Sequence, residues 1–350
     1  MTMDFRDFKI QRRGFAALGL SLISAISAPA AWVPAADAGA LVVLQETDGN
    51  IRSYIAPQRG GGMVGLEYRF QGKWIELLYR GLDFSATSDW DGKAPILWPA
   101  TGRNFAIDPA SGAKQPGWMS NGIFYPMPIH GFARDLPWQV VKQTVTDKGK
   151  SVVLVLSDNE VTHKFYPFAF KVTTDYTVGQ NSLTIHQHVH ADKSNSGPMP
   201  FSIGNHMTYK LPLIPGGTAE AVTFVTPATK RLLLTDEGSP SGKAEAFEGG
   251  STHTITELGT RKAWSLTGFP KDSIWVKMLD QSGLSLTVSH EASRQPSGDP
   301  VYFNLWGDVA GGFFAPEPWA GKQNSLVIGD GTIRLDPGAD FDWTVTVVVN

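Results

Sequence analysis

The stretch Ser182-Leu183-Thr184-Ile185-His186-Gln187-His188-Val189 decides the reading of this chain. Leu183, Ile185 and Val189 fall on one side of an extended backbone, and His186, His188 and the following His190 fall on the other. An alternation of period two is the signature of a strand with one face in a core and one in water. Runs of the same kind recur on both sides of it, at 151–156, 169–178, 274–279, 284–289 and 342–349. Between them stand turn-forming clusters such as Gly60-Gly61-Gly62, 147–149, Gly216-Gly217, 237–242 and Gly311-Gly312. Many short strands separated by turn signals predict an all-β sandwich or barrel. No convincing helix is read after the N-terminal segment, and no repeat of fixed period is present. The stretch 236–251 reads as a long surface loop or a boundary. The expected organisation is a single β domain over 39–350.

Composition sets the limits of function. The chain has 350 residues, 18% charged and 42% hydrophobic, which excludes a disordered chain. Its 30 Lys+Arg against 33 Asp+Glu give a net charge of −3, so there is no basic excess to neutralise nucleic-acid phosphates. It has no cysteine, hence no disulfide, thiol nucleophile or cysteine-held metal. Residues 1–38 read as an address. Arg6, Lys9, Arg12 and Arg13 precede an uncharged, mildly apolar segment, and Ala28-Pro29-Ala30 and Ala36-Asp37-Ala38 fit cleavage sites. Gln11-Arg12-Arg13-Gly14-Phe15 resembles the twin-arginine export signal. The expectation is a cleaved signal, cut after Ala30 or Ala38, and a periplasmic protein with no stable membrane span. An ordinary secretory signal and a retained anchor are the alternatives.

Four segments break the strand pattern: Leu97-Trp98-Pro99-Ala100-Thr101-Gly102-Arg103-Asn104; Pro128-Ile129-His130-Gly131-Phe132-Ala133-Arg134; Met199-Pro200-Phe201-Ser202-Ile203-Gly204-Asn205-His206; and Phe313-Phe314-Ala315-Pro316-Glu317-Pro318-Trp319. Each sets polar or protonatable groups among aromatics, Gly and Pro, a setting that desolvates a side chain and shifts its pKa. Any one of them alone reads as a structural histidine or a turn glutamate; the set carries more weight.

In order and spacing these segments resemble those of the aldose 1-epimerases, or galactose mutarotases, over nearly the whole chain from Val43 to Val349. His130-Gly131-Phe132-Ala133-Arg134 with Trp138 is similar to that family's first histidine motif. The segment ending at His206 is similar to the second, and Glu317-Pro318-Trp319 to the catalytic Glu-Pro. The chain departs from the family where His206-Met207-Thr208-Tyr209 replaces a frequent His-Pro-Tyr-Phe, and where Gly102 rather than Asn precedes Arg103. The resemblance implies a large antiparallel β-sandwich and an isomerase that interconverts the anomers of a hexose. It assigns Glu317 as base and His206 as acid, with His130, Arg103 and Asp272 binding the sugar. No cofactor and no metal are implied; the partner is a small sugar or a glycan end. Trp98, Trp118, Trp306 and Trp319 offer flat faces to a sugar or pack the core.

Three other readings stand beside this one. A non-catalytic sugar-binding protein would need no Glu317/His206 pair. A polysaccharide hydrolase or lyase would need another carboxylate or base near Glu317, for which Asp299 and Asp308 are the candidates. A hexose-phosphate mutarotase would need a cationic cluster, and none is evident in the sequence. The His186, His188 and His190 row has a spacing that can ligate zinc. Its position opposite the apolar face makes it a solvated surface row instead.

Overall fold

Side-chain alternation governs the backbone as the sequence predicts. In the strand Ser182–Ala191, Leu183, Ile185, Val189 and Ala191 are buried, while His186 is exposed and His188 and His190 are half-buried. The computed structural model describes residues 39–46, 48–85, 92–146, 149–259 and 262–350. The segment 1–38 read as an export signal lies outside the described residues, as does part of the turn at 147–149.

Two large sheets make the fold. One has nine strands, in the spatial order His253–Thr254, Thr223–Val225, Trp275–Leu279, Ser285–Ala292, Asp340–Val349, Ser182–Ala191, Phe170–Val178, Gly149–Ser157 and Gln139–Thr146. The other has eight members, in which Lys262–Thr267, Val301–Asp308, Phe313–Gly321, Ile203–Asn205 and Ile96–Leu97 lie side by side. All strand pairs in these sheets are antiparallel among the described residues. Their apolar faces meet in one core: Phe224 of the first sheet lies 5.4 Å from Phe314 of the second, and His290 lies 5.2 Å from Phe303. The structure is therefore the antiparallel β-sandwich expected.

Sequence and structure differ in two places. The stretch 236–251 contains the exposed strand Pro240–Ala246, which pairs with Lys230–Leu234 as a hairpin. Its polar, Gly-punctuated sequence hid a strand that contributes little to the core. A short α-helix, Ser325–Ile328, was also unread, being only one turn long.

The eight-membered sheet positions the functional residues. In Val301–Asp308, Phe303 and Leu305 enter the core, so Asn304 and Trp306 point to the other face. Register places Ser265 opposite Asn304 and Asn304 opposite Glu317. A polar row thus crosses three neighbouring strands on the face turned away from the sandwich interior.

Candidate active site

Glu317 is 1% exposed, on a strand whose residues are all buried. Its two oxygens are held separately: Asn304 Nδ2 donates to Oε1 at 3.0 Å and Trp319 Nε1 donates to Oε2 at 3.2 Å. His206 follows the strand Ile203–Asn205, which neighbours the Glu317 strand. Its Nε2 lies 3.5 Å from Glu317 Oε1. Thr208 Oγ1 donates to the His206 carbonyl at 3.2 Å and lies 3.1 Å from His206 Nδ1. With its proton committed to that carbonyl, the hydroxyl accepts from Nδ1–H, and the Nε2 lone pair is left facing Glu317.

His130 arrives from a loop. It has a left-handed backbone, φ 65°, and its ring lies edge-on to His206 at 5.5 Å and to Trp319 at 5.8 Å. Two glycines make this approach possible. A Cβ on Gly131 (φ +74°) would meet the Trp98 carbonyl oxygen at 2.1 Å. Gly102 (φ +66°) brings its N–H to His130 Nδ1 at 3.1 Å. That bond makes Nδ1 an acceptor and puts the ring proton on Nε2.

Burial governs the charges. It pushes Glu317 up to about 8, against the two hydrogen bonds that favour the carboxylate. It pushes His206 down to about 3, with the Arg134 charge adding to the effect. His130 is held well below the usual imidazole range by burial, then by the His206, Arg134 and Arg103 charges. Near neutral pH the Glu317/His206 pair therefore carries its titratable proton on Glu317, opposite a neutral His206.

His130, His206 and Glu317 offer ligand-type atoms within 4.8 Å of one another. Their hydrogen bonds do not fit a metal, because Gly102 N–H occupies His130 Nδ1 and the protonated Nε2 has no lone pair for an ion. The His186, His188 and His190 row pairs with carboxylates on the adjacent strand instead. His186 Nε2 and His188 Nδ1 each lie 3.0 Å from Asp342 Oδ1, and His190 Nδ1 lies 2.7 Å from Asp340 Oδ1.

The other expected residues divide. Arg103 is half-buried beside Gly102, and its charge bears on His130. Asp272 is an exposed loop residue with φ 61°, and no described contact joins it to the cluster. Its loop position, read from sequence as a sugar ligand, leaves it in solvent. Of the four tryptophans, Trp98, Trp118 and Trp319 are buried, whereas Trp306 is half-buried and lies edge-on to His206 at 5.6 Å. Sequence reasoning gave no role to Arg134, Thr208, Ser265, Asn304 or Gln323. Arg134 has a side chain only 6% exposed, with Nε 3.7 Å from Asp135 Oδ1. The signal that could have found Asn304 is its place as the one amide in Val301-Tyr302-Phe303-Asn304-Leu305-Trp306.

A β-sandwich with a buried carboxylate facing an imidazole on its outer face defines a site suited to proton transfer. The family model for aldose 1-epimerase matches residues 110–305, more than half of the sequence. The chain belongs to the aldose 1-epimerase family. His130 and His206 fall inside the matched stretch, and Arg103 and Glu317 outside it. Among solved structures, the Slr1438 protein of Synechocystis sp. PCC 6803 is similar at 25% identity and a TM-score of 0.70, covering 89% of this chain and 96% of that one. A galactose mutarotase related enzyme from Lactobacillus acidophilus shares the fold at 20% identity and a TM-score of 0.70, covering 89% and 97%. A Salmonella typhimurium protein, proposed in its name to be a glucose-6-phosphate 1-epimerase, is 28% identical over 92 residues. That match covers 25% of this chain and 31% of the relative.

Proposed function

We propose that this chain interconverts the α and β anomers of an aldohexose, with Glu317 and His206 moving the protons. Anomer exchange requires the ring to open: a base takes the proton of the C1 hydroxyl while an acid protonates the ring oxygen. The C1–C2 bond then turns and the ring closes on the other face. The observation that carries this reading is the 3.5 Å approach of His206 Nε2 to Glu317 Oε1 in a buried setting. The titratable proton of the pair is the inventory the reaction needs. Its transfer from Glu317 to His206 Nε2, as sugar hydroxyls enter, leaves a carboxylate base and an imidazolium acid. The donors from Asn304 and Trp319 support the carboxylate at that moment. His130 Nε2–H and Arg103 are donors suited to the ring oxygen and neighbouring hydroxyls. Acid–base help of this kind is worth roughly 10²–10⁴-fold in rate.

Polarimetry on freshly dissolved α-glucose and α-galactose tests the reading; loss of optical rotation faster than the spontaneous rate is expected. If sugars bind without faster mutarotation, the protein is a binding module. A second reading, a hexose 6-phosphate substrate, is favoured by the named relative and by the Arg103 and Arg134 charges around His130. Preference for α-glucose 6-phosphate over α-glucose in the same assay would select it.

We also propose export of the folded chain by the twin-arginine route, on the strength of Arg12-Arg13 and the segment after them. Replacing both arginines by Lys should abolish periplasmic accumulation on fractionation; unchanged accumulation would refute the route.

A further inference from the structure

The row Ser265–Asn304–Glu317 ends on a side chain that does more than support it. Gln323 is 5% exposed, and its Nε2 donates to Ser265 Oγ at 2.7 Å and to Asn304 Oδ1 at 3.3 Å. Ser265 Oγ donates its own proton to Asn304 Oδ1 at 3.1 Å. These bonds fix both amides. Asn304 Oδ1 accepts twice, so its Nδ2 must face Glu317; turning Gln323 over would set two carbonyl oxygens against each other. Gln323 Oε1 is therefore the end of the network, and it accepts no hydrogen bond from any described residue. A buried acceptor without a donor costs about 1–3 kcal/mol, so such atoms are rare unless a ligand or water completes them.

The amide lies between the two halves of the site. On one side it touches the residues that hold Glu317. On the other, its chain packs against Gly102, where an added Cβ would come within 2.8 Å of Gln323 Cγ. Gly102 is the residue that bonds His130 and precedes Arg103. Gln323 thus spans the gap between the proton-transfer pair and the expected sugar-binding residues. Asp272, which sequence put forward as an acceptor for sugar hydroxyls, stands in solvent.

We propose that Gln323 Oε1 accepts a hydrogen bond from one sugar hydroxyl and makes that hydroxyl a requirement for the substrate. The inference rests on the mutarotase reading for its turnover assay but not for its binding assay. A neutral carbonyl oxygen rewards an O–H donor. It repels the oxygen of a carboxylate or phosphate and gains nothing from a methylene. The substrate class is therefore an aldose carrying a free hydroxyl at the ring position that meets Gln323. A single methionine in place of Gln323 keeps the shape and removes the acceptor.

The test compares glucose with its 2-, 3-, 4- and 6-deoxy derivatives, by kcat/KM and, independently, by calorimetric binding. The wild type should lose about 10–100-fold against one deoxy sugar, the range for leaving one buried polar group unpaired. In Gln323→Met, and in the milder Gln323→Asn, that same ratio should collapse to within about threefold of unity. Ser265→Ala removes one of the two acceptors of Gln323 Nε2 yet leaves the Gln323 carbonyl, so it should change all five sugars alike and keep the ratio. A wild type that tolerates every deoxy sugar, or Gln323 variants that keep the discrimination, would overturn the proposal. If the protein binds sugars without mutarotation, the dissociation constants carry the same comparison, so loss of the reaction and loss of this recognition are told apart.

Discussion

Replacing Glu317 by Gln should slow the enzyme and remove a pH-dependent loss of stability, while its NH2 group faces one of the two N–H donors that now meet the carboxyl. Burial holds the folded carboxyl at about 8 against an ordinary value of 4.5. Between those values the unfolded chain is ionised at this position while the folded chain keeps its proton. The folded state binds more protons, so its stability is full below about 4.5 and declines as pH rises toward 8. The decline is about tenfold in the folding constant per pH unit, and about 3 kcal/mol has gone by pH 7. Gln cannot ionise, so the variant escapes this loss. Urea denaturation of both proteins at several pH values between 5 and 8 should show the variant gaining on the wild type at every step upward. His206 contributes with the opposite sign, losing stability as pH falls from 6.5 toward 3, and it is present in both proteins. In the same variant mutarotation should fall at least about 10²-fold, because the base is gone. A stability gap that is constant with pH, or that shifts toward the wild type as pH rises, would show a carboxylate already paired with imidazolium before sugar is added. The neutral-pair argument would then fail.

The pair should also act as a unit. His206→Asn should cost about as much turnover as Glu317→Gln, and the double variant far less than the product of the two losses; full multiplicativity would separate their roles. The kcat/KM profile should be bell-shaped. Its acid limb is the second protonation of the pair, toward about 3, and its alkaline limb the loss of the last proton, near 8. A profile with no alkaline limb below pH 10 would contradict it. His130→Asn and Arg103→Met should raise KM more than they lower kcat, and the reverse split would make these residues part of the proton-transfer step. A strong chelator, or joint replacement of His186, His188 and His190 by Gln, should leave turnover unchanged; loss restored by zinc would refute metal independence.

What could be read in the sequence follows from how local each signal is. The strand at 182–189 announced itself by alternation and is found at Ser182–Ala191, and the run at 342–349 lies within Asp340–Val349. Glu317 and the two histidines stood out because Pro, Gly and aromatic neighbours mark them within a few residues. Ser265, Asn304 and Gln323 also have aromatic or Gly neighbours, but they are neutral polar residues of a kind common in strands and turns and gave no local sign of a shared role. Their meaning is tertiary: strand register joins Asn304, 39 residues away, to Ser265, and a turn beyond the next strand brings Gln323, 58 residues away, to the same hydroxyl. Trp319 was visible as an aromatic, but its service to Glu317 lies in the indole N–H, which burial alone does not disclose. Asp272 shows the same limit: a polar residue in a Gly/Pro loop looks alike in sequence whether it turns inward or out.

The strand that carries Glu317 serves two masters through its pleat. Phe314 faces the interior, while Glu317 and Trp319 face the opposite way. A polar substitution on the outer face leaves the packing around Phe314 in place. Mutational drift in the two sets of positions is thereby uncoupled. On the proposed function, such a scaffold can acquire a new substrate by exchanging Ser265 or Trp306 on one surface while the other continues to satisfy the same steric demands. The separation gives a directed-evolution library a natural boundary: randomising the outward row should yield folded variants of altered preference, whereas randomising Phe303, Leu305 and Phe314 should yield mostly unfolded ones.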